Sequence, residues 1–160
     1  MSLNRKFSKS NVRSVTEADF SSWSALWNEY VELSGRKDQT ATPSVISPVV
    51  WRRFLDPQQP VFALVAEREG QLVGMAQCVF HLSTTRVGPA CYLPDLFVSP
   101  GCRQQGVGTA LIKSVYEHAA AAGASRVYWH THDTNSAGRR LFDRLAKSTT
   151  FVLYTHNLSD

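Results

Sequence analysis

With 160 residues, 43% of them hydrophobic and 19% charged, the chain can bury one core and is too apolar to be disordered. No run approaches the roughly 20 apolar residues of a membrane span, and Met1 to Ser10 carries Arg5, Lys6 and Lys9 with no apolar run behind them, so it fails as a secretory signal. The net charge of +4 favours an anionic ligand, but the basic residues are scattered rather than interleaved with aromatics, which argues against a nucleic-acid surface.

Residues 1–10 read as a flexible tail and 11–160 as a single domain. Asn11 to Val15 predicts a short strand. Thr16 and Asp19 then stand three apart at a helix start, an acidic relative of the capping box. Phe20, Trp23, Leu26, Trp27, Tyr30 and Val31 follow at steps of three and four, an amphipathic helix with an aromatic core stripe, and Gly35 is a plausible terminator. A polar linker from Arg36 to Pro48 leads to a second helix, with Ser47 as its cap and Pro48 at its first position. Val61 to Glu67 and Leu72 to Leu82 read as a hairpin about Glu69-Gly70-Gln71, and Ala90 to Val98 as the next strand.

The run Arg103-Gln104-Gln105-Gly106-Val107-Gly108-Thr109 comes next, between that strand and a helix predicted over Thr109 to Ala122. A strand that turns through glycines into a helix presents unbonded N–H groups at the positive end of the helix dipole, which suits a phosphate or pyrophosphate. Arg103 adds a guanidinium for a phosphate oxygen. A Walker loop is excluded because no Gly-Lys-Ser or Gly-Lys-Thr follows. A dinucleotide fingerprint fails because Leu111 stands where its third glycine belongs. Beyond the helix, Arg126 to His132 predicts a strand parallel to Ala90–Val98. Ser136 to Lys147 predicts a helix, with Asn135 as its cap, and Phe151 to Asn157 a last strand. His130 and His132 would share one side of their strand, but without a third ligand they make a weak zinc site, and no metal is expected. The three cysteines, with no Cys-x-x-Cys, read as free thiols of a reducing, cytoplasmic setting; Cys102 beside the loop is either a reactive thiol or a bystander in a turn.

The spacing Arg-x-x-Gly-x-Gly, with Tyr92-Leu93-Pro94-Asp95-Leu96-Phe97-Val98 before it and Tyr128-Trp129-His130-Thr131 and Asn135-Ser136-Ala137-Gly138-Arg139-Arg140-Leu141-Phe142 after it, resembles the GNAT family of N-acetyltransferases. The likeness is to its histone, polyamine and amino-acid branch and covers about residues 90–156. It implies an α/β fold, a mixed and mostly antiparallel sheet of six to seven strands with helices on both faces. It also implies acetyl transfer from acetyl-CoA to a primary amine of a small molecule, a polyamine or amino acid, or to a protein or peptide lysine or N-terminus.

By that resemblance the backbone of Leu96, Phe97 and Val98 would pair with the pantetheine arm, and a backbone N–H near Phe97 or Val98 would face the developing oxyanion. The amides from Gln104 through Gln105, Gly106, Val107 and Gly108 to Thr109 would hold the pyrophosphate, with Asn135 and Phe142 further along the cofactor. Two family roles are absent at their usual positions: Phe142 replaces a tyrosine that protonates the leaving thiolate, and Pro94 replaces a glutamate that relays the amine proton. Asp95 is the candidate to relay that proton or bind a cationic amine, against a purely structural role. Tyr154 on the expected last strand is the candidate for the missing phenol, against simple packing. A CoA-binding module with weak or no catalysis is the alternative, and the resemblance further implies a homodimer through the C-terminal strands.

Overall fold

The computed structural model describes residues 10–34 and 43–158. The N-terminal tail before residue 10, Gly35 and most of the polar linker lie outside the described residues. Five strands and four helices follow in the order β1 (Asn11–Ser14), α1 (Phe20–Ser34), α2 (Pro43–Leu55), β2 (Val61–Arg68), β3 (Gln71–His81), β4 (Ala90–Val98), α3 (Val107–Ala121), β5 (Arg126–Tyr128) and α4 (Ser136–Phe142). The strands form one sheet in sequence order. β1 to β4 pair antiparallel, and β4 pairs parallel with β5 across the α3 crossover.

Local sequence accounts for most of this frame. Glu69 and Gly70 both have positive φ, 52° and 77°, as a two-residue hairpin turn requires, so Arg68 pairs with Gln71. On α3, Leu111, Ile112, Val115 and Ala119 are all buried, and they cover Leu64, Ala66, Ala76, Cys78, Cys91 and Leu93 of the sheet. On the other face, Trp23 and Leu26 of α1 and Trp51 of α2 close over Val65, Met75 and Phe97. The aromatic stripe of α1 is therefore core: Trp23 lies 4.9 Å from Trp51 and 6.1 Å from Trp27, ring centre to ring centre. Asp19 accepts from the Thr16 backbone N–H at 2.7 Å, the reach-back its spacing predicts, and also pairs with Arg13.

The structure corrects the sequence reading at several elements, α3 among them, which starts at Val107 rather than Thr109. α2 begins at Pro43, not at Ser47, so Pro48 lies inside the helix. Pro43 at the first position forfeits no intrahelical bond, whereas Pro48, inside the helix, withholds one N–H from the ladder. β5 ends at Tyr128 rather than His132, and α4 ends at Phe142 rather than Lys147, with hydrogen-bonded turns on to Ala146. No strand forms over 151–157; Phe151, Val152, Leu153 and Tyr154 are 93, 74, 62 and 90% exposed. The sheet among the described residues thus has five strands, not six or seven.

Candidate active site

The site begins with an irregularity in β4. Gln77 faces Asp95 and Val79 faces Tyr92 across the β3–β4 ladder, so Cys78 alone opposes both Leu93 and Pro94. This is a β-bulge, and proline suits it because it has no ladder N–H to give. The extra residue reverses the side-chain phase. Before the bulge Cys91 and Leu93 pack on the α3 side; after it Leu96 and Val98 do. Asp95 and Phe97 therefore turn to the α1 face, where Phe97 meets Tyr30 at 5.6 Å.

The same bulge ends the parallel pairing with β5, whose last partners are Tyr92 and Tyr128. Beyond them, among the described residues, no ladder joins β4 to the chain from Trp129 onward, and that edge of β4 is open. The backbone of Leu96, Phe97 and Val98 lines one side of that opening. Tyr92, Tyr128 and His130 stand at its apex: the two phenol rings stack at 5.1 Å, and the His130 ring lies edge-on to both at 5.5 and 5.9 Å. His81 is 2.8 Å from the Tyr128 hydroxyl.

Asp95 is only 7% exposed. Its Oδ2 accepts from Gln77 Nε2 at 3.0 Å, and Gln77 Oε1 accepts from Trp23 Nε1 at 2.8 Å. Cys78, behind the bulge, has its thiol pushed up by its hydrogen bond to Cys91 and by burial, so it stays protonated.

At the end of β4 the chain tightens into a single 3-10 turn, Pro100–Cys102. Arg103 folds back so that its Nε donates to the Val98 carbonyl at 2.9 Å, with its guanidinium 5.8 Å from the centre of the Phe97 ring. Gln105 is held from two sides, donating to the Gly101 carbonyl and accepting from Arg68. Gln104 and Gly106 take positive φ, 58° and 84°, a loop conformation of the kind that lets successive amides converge on an anion. The first bond within α3 is from Ala110 N–H to the Gly106 carbonyl, so the amides of Val107, Gly108 and Thr109 precede the intrahelical ladder. A Cβ on Gly108 would lie 2.9 Å from a Leu141 methyl, so α4 closes against the first turn of α3.

The later expected residues fare unevenly. Asn135 caps α4: its Oδ1 accepts from Gly138 N–H at 3.1 Å, and its Nδ2 donates to Thr131 Oγ1 at 2.9 Å. Phe142 packs on Trp129 at 5.4 Å in the α3-side cluster. Cys102 sits half-buried in the 3-10 turn. Tyr154 is exposed in the C-terminal segment, outside the sheet. His130 and His132 lie past the end of β5, and among the described residues no three metal-ligating side chains cluster. Gln77, Trp23, Tyr92 and Tyr128 join the site without having been expected. Gln77 carried a signal, a single amide within the apolar run 73–80.

The bulge in β4, the glycine loop at the end of that strand and the start of α3 thus follow one another directly along the chain. The family model described as acetyltransferase (GNAT) family matches residues 19–146, most of the chain, including β4, the glycine loop and α4. This chain belongs to the GNAT family of acetyltransferases. Among its relatives, the acetyltransferase is 31% identical over 148 residues to a D-amino-acid N-acetyltransferase, HPA3, of Saccharomyces cerevisiae, covering 91% of this chain and 89% of that one. It also shares its fold with AAC(6')-Iy in complex with a CoA-containing bisubstrate analogue, at a TM-score of 0.79 and 17% identity over 95% of this chain and all of that one. A ribosomal-protein-alanine N-acetyltransferase from Brucella melitensis gives a TM-score of 0.75 at 18% identity, covering 94% of this chain and all of the other. No helix among the described residues is long and apolar enough to cross a membrane.

Proposed function

We propose that this acetyltransferase moves the acetyl group of acetyl-CoA to the primary amine of a small molecule, an amino acid or a polyamine, within a wider class that includes peptide lysines and N-termini. The observation that carries this reading is the β4 bulge, which turns Asp95 to the α1 face while Leu96, Phe97 and Val98 run on to the glycine loop along the edge of β4 that β5 leaves unpaired. The residues fit the co-substrate: an opened strand suits an extended arm with amide groups, and the amides from Gln104 to Thr109 suit a pyrophosphate. When bound, acetyl-CoA supplies the activated acyl group. The amine nitrogen bonds to the thioester carbon, the carbon–sulfur bond breaks, and the proton leaves the amine while the departing thiolate acquires one.

Asp95 is the proton acceptor in this scheme and also the counter-charge for a cationic amine. A backbone N–H of Phe97 or Val98 faces the developing oxyanion. Asn135 contributes the second proton of its Nδ2 beyond its cap and its bond to Thr131, and Phe142 forms an apolar wall. The likeness to a D-amino-acid N-acetyltransferase supports a small amine that carries a carboxylate. Residues 11–160 then form one domain after a short tail, and the three free cysteines fit a reducing, cytoplasmic setting. The exposed apolar run Phe151 to Tyr154 supports a homodimer paired through its C-terminal segments. Tyr154 can act as proton donor to the thiolate only where that segment packs against a sheet, its own or its partner's.

The test is release of free CoA thiol from acetyl-CoA with a panel of L- and D-amino acids, polyamines and lysine peptides. Thiol release with one or more small amines is expected. The second reading rests on Phe142, which is packed on Trp129 and has no proton to donate. Binding of acetyl-CoA without thiol release from any amine would establish a CoA-binding module instead.

A further inference from the structure

Gln77 lies 4% exposed in β3, flanked by Met75, Ala76 and Cys78, all essentially buried. A strand position of this kind ordinarily takes a β-branched or aromatic side chain, and a buried amide is tolerated only when both of its ends are bonded. Here both are. The indole Nε1–H of Trp23 can only donate, so it claims the amide oxygen at 2.8 Å. That choice leaves the amide NH2 as the group aimed at Asp95, 3.0 Å from Oδ2. The direction of the amide is thus set by chemistry: with Trp23 in place, Gln77 presents a donor, never an acceptor, to the carboxylate.

The chain of contacts starts in the first helix and ends at the bulge. Trp23 is 1% exposed and clamped by the rings of Trp51, Trp27 and Phe54, so it has no room to swing. Asp95 sits in register opposite Gln77, one residue past the bulge that turned it to this face. We propose that Gln77 is a positioning residue for acetyl transfer, oriented by Trp23, and that it holds the Asp95 carboxylate in a fixed rotamer as a hydrogen-bond acceptor at the opening between β4 and β5. This inference rests on the reading of Asp95 as proton acceptor and deepens it, because it makes a residue of α1 a determinant of turnover.

The test is a double-mutant cycle. Gln77→Met keeps the length and volume of the side chain and removes both hydrogen bonds. Trp23→Phe removes the indole donor and lets the amide turn its oxygen toward the carboxylate. Gln77→Met is expected to lower kcat about 10- to 100-fold with the KM for acetyl-CoA within about threefold, in the range of a lost proton-transfer arrangement. Trp23→Phe is expected to lower kcat several-fold in the wild-type background and to have no further effect on kcat in Gln77→Met, while its effect on melting temperature persists in both. Additive effects on kcat would overturn the relay. A readout independent of turnover is the indole N–H resonance of Trp23, which is expected to move upfield and to exchange faster in Gln77→Met; an unmoved resonance would overturn the contact itself. Asp95→Asn separates the two levels. If it turns over normally, the reading of Asp95 fails. If it is impaired while Gln77→Met is not, only the positioning role fails.

Discussion

Two aspartates show how one side-chain type takes two roles. Asp95 is buried beside the bulge and accepts from the neutral amide of Gln77, and it is the proposed acceptor of the substrate proton. Asp95→Asn is expected to lower kcat by about two orders of magnitude or more, with acetyl-CoA binding retained, since general-base contributions run about 10² to 10⁴. Asp19, by contrast, is spent on structure. Arg13 donates to both of its oxygens at 2.7 and 2.9 Å and reaches Glu67 at 2.7 Å. The Arg13 hydrogen bonds hold the Asp19 carboxyl well below the usual carboxylate range. A depressed folded-state value means the stabilisation is full above the unfolded value near 3.9 and is lost as pH falls below it. Asp19→Asn should therefore cost about 1–2 kcal/mol. Its melting temperature should trail that of the wild type by a constant margin from pH 5 to 8, and the margin should shrink below about pH 4.

At the scale of elements, the determining feature is the bulge at Leu93–Pro94. It aims Asp95, and it ends the β4–β5 ladder after Tyr92 and Tyr128. The periodic parts of the chain were legible in advance: the α3 face, the hairpin at Glu69–Gly70, the bounds of β4, and the glycine turn from β4 into α3 follow from local spacing alone. What was not legible depends on pairing. Arg126 to His132 has strand-like text, but a parallel strand lasts only as long as its neighbour stays in register, and the interruption lies 33 residues earlier, at Leu93. Pro94 reads as the loss of a glutamate; its positive role, permitting the bulge, needs the ladder to be seen. The amide of Gln77 was visible as a polar residue in an apolar strand, but its partners come from Trp23, 54 positions away, and Asp95, 18 away. The loop makes its own prediction. Gly106 holds φ at 84°, so Gly106→Val should cost about 1–2 kcal/mol of stability in strain and weaken acetyl-CoA binding, measured by chemical denaturation and by titration calorimetry.

At the scale of the whole molecule, the sheet is a closed account up to β5 and an open one after it. Two cores cover its faces, one under α3 and one under α1 and α2. The segment from Phe151 to Leu158 leaves several large apolar side chains in solvent. A strand-like apolar run without a partner is a template for pairing. Truncation after Thr150 should leave the melting temperature within a few degrees of wild type and, if the proposed dimer forms, yield a monomer by sedimentation velocity. A full-length chain that sediments as a monomer at all concentrations would remove the dimer.

If the loop from Arg103 to Thr109 and the open edge of β4 together hold acetyl-CoA, as proposed, acetyl-CoA raises the melting temperature. At a concentration about 100 times its dissociation constant, the co-substrate should add about 2.7 kcal/mol, a rise of about 5–10 °C for a chain of this size. Gly108→Trp places an indole between the first turn of α3 and Leu141 and should abolish that rise while the protein still melts cooperatively. A folded Gly108→Trp variant stabilised by acetyl-CoA as strongly as the wild type would contradict the account.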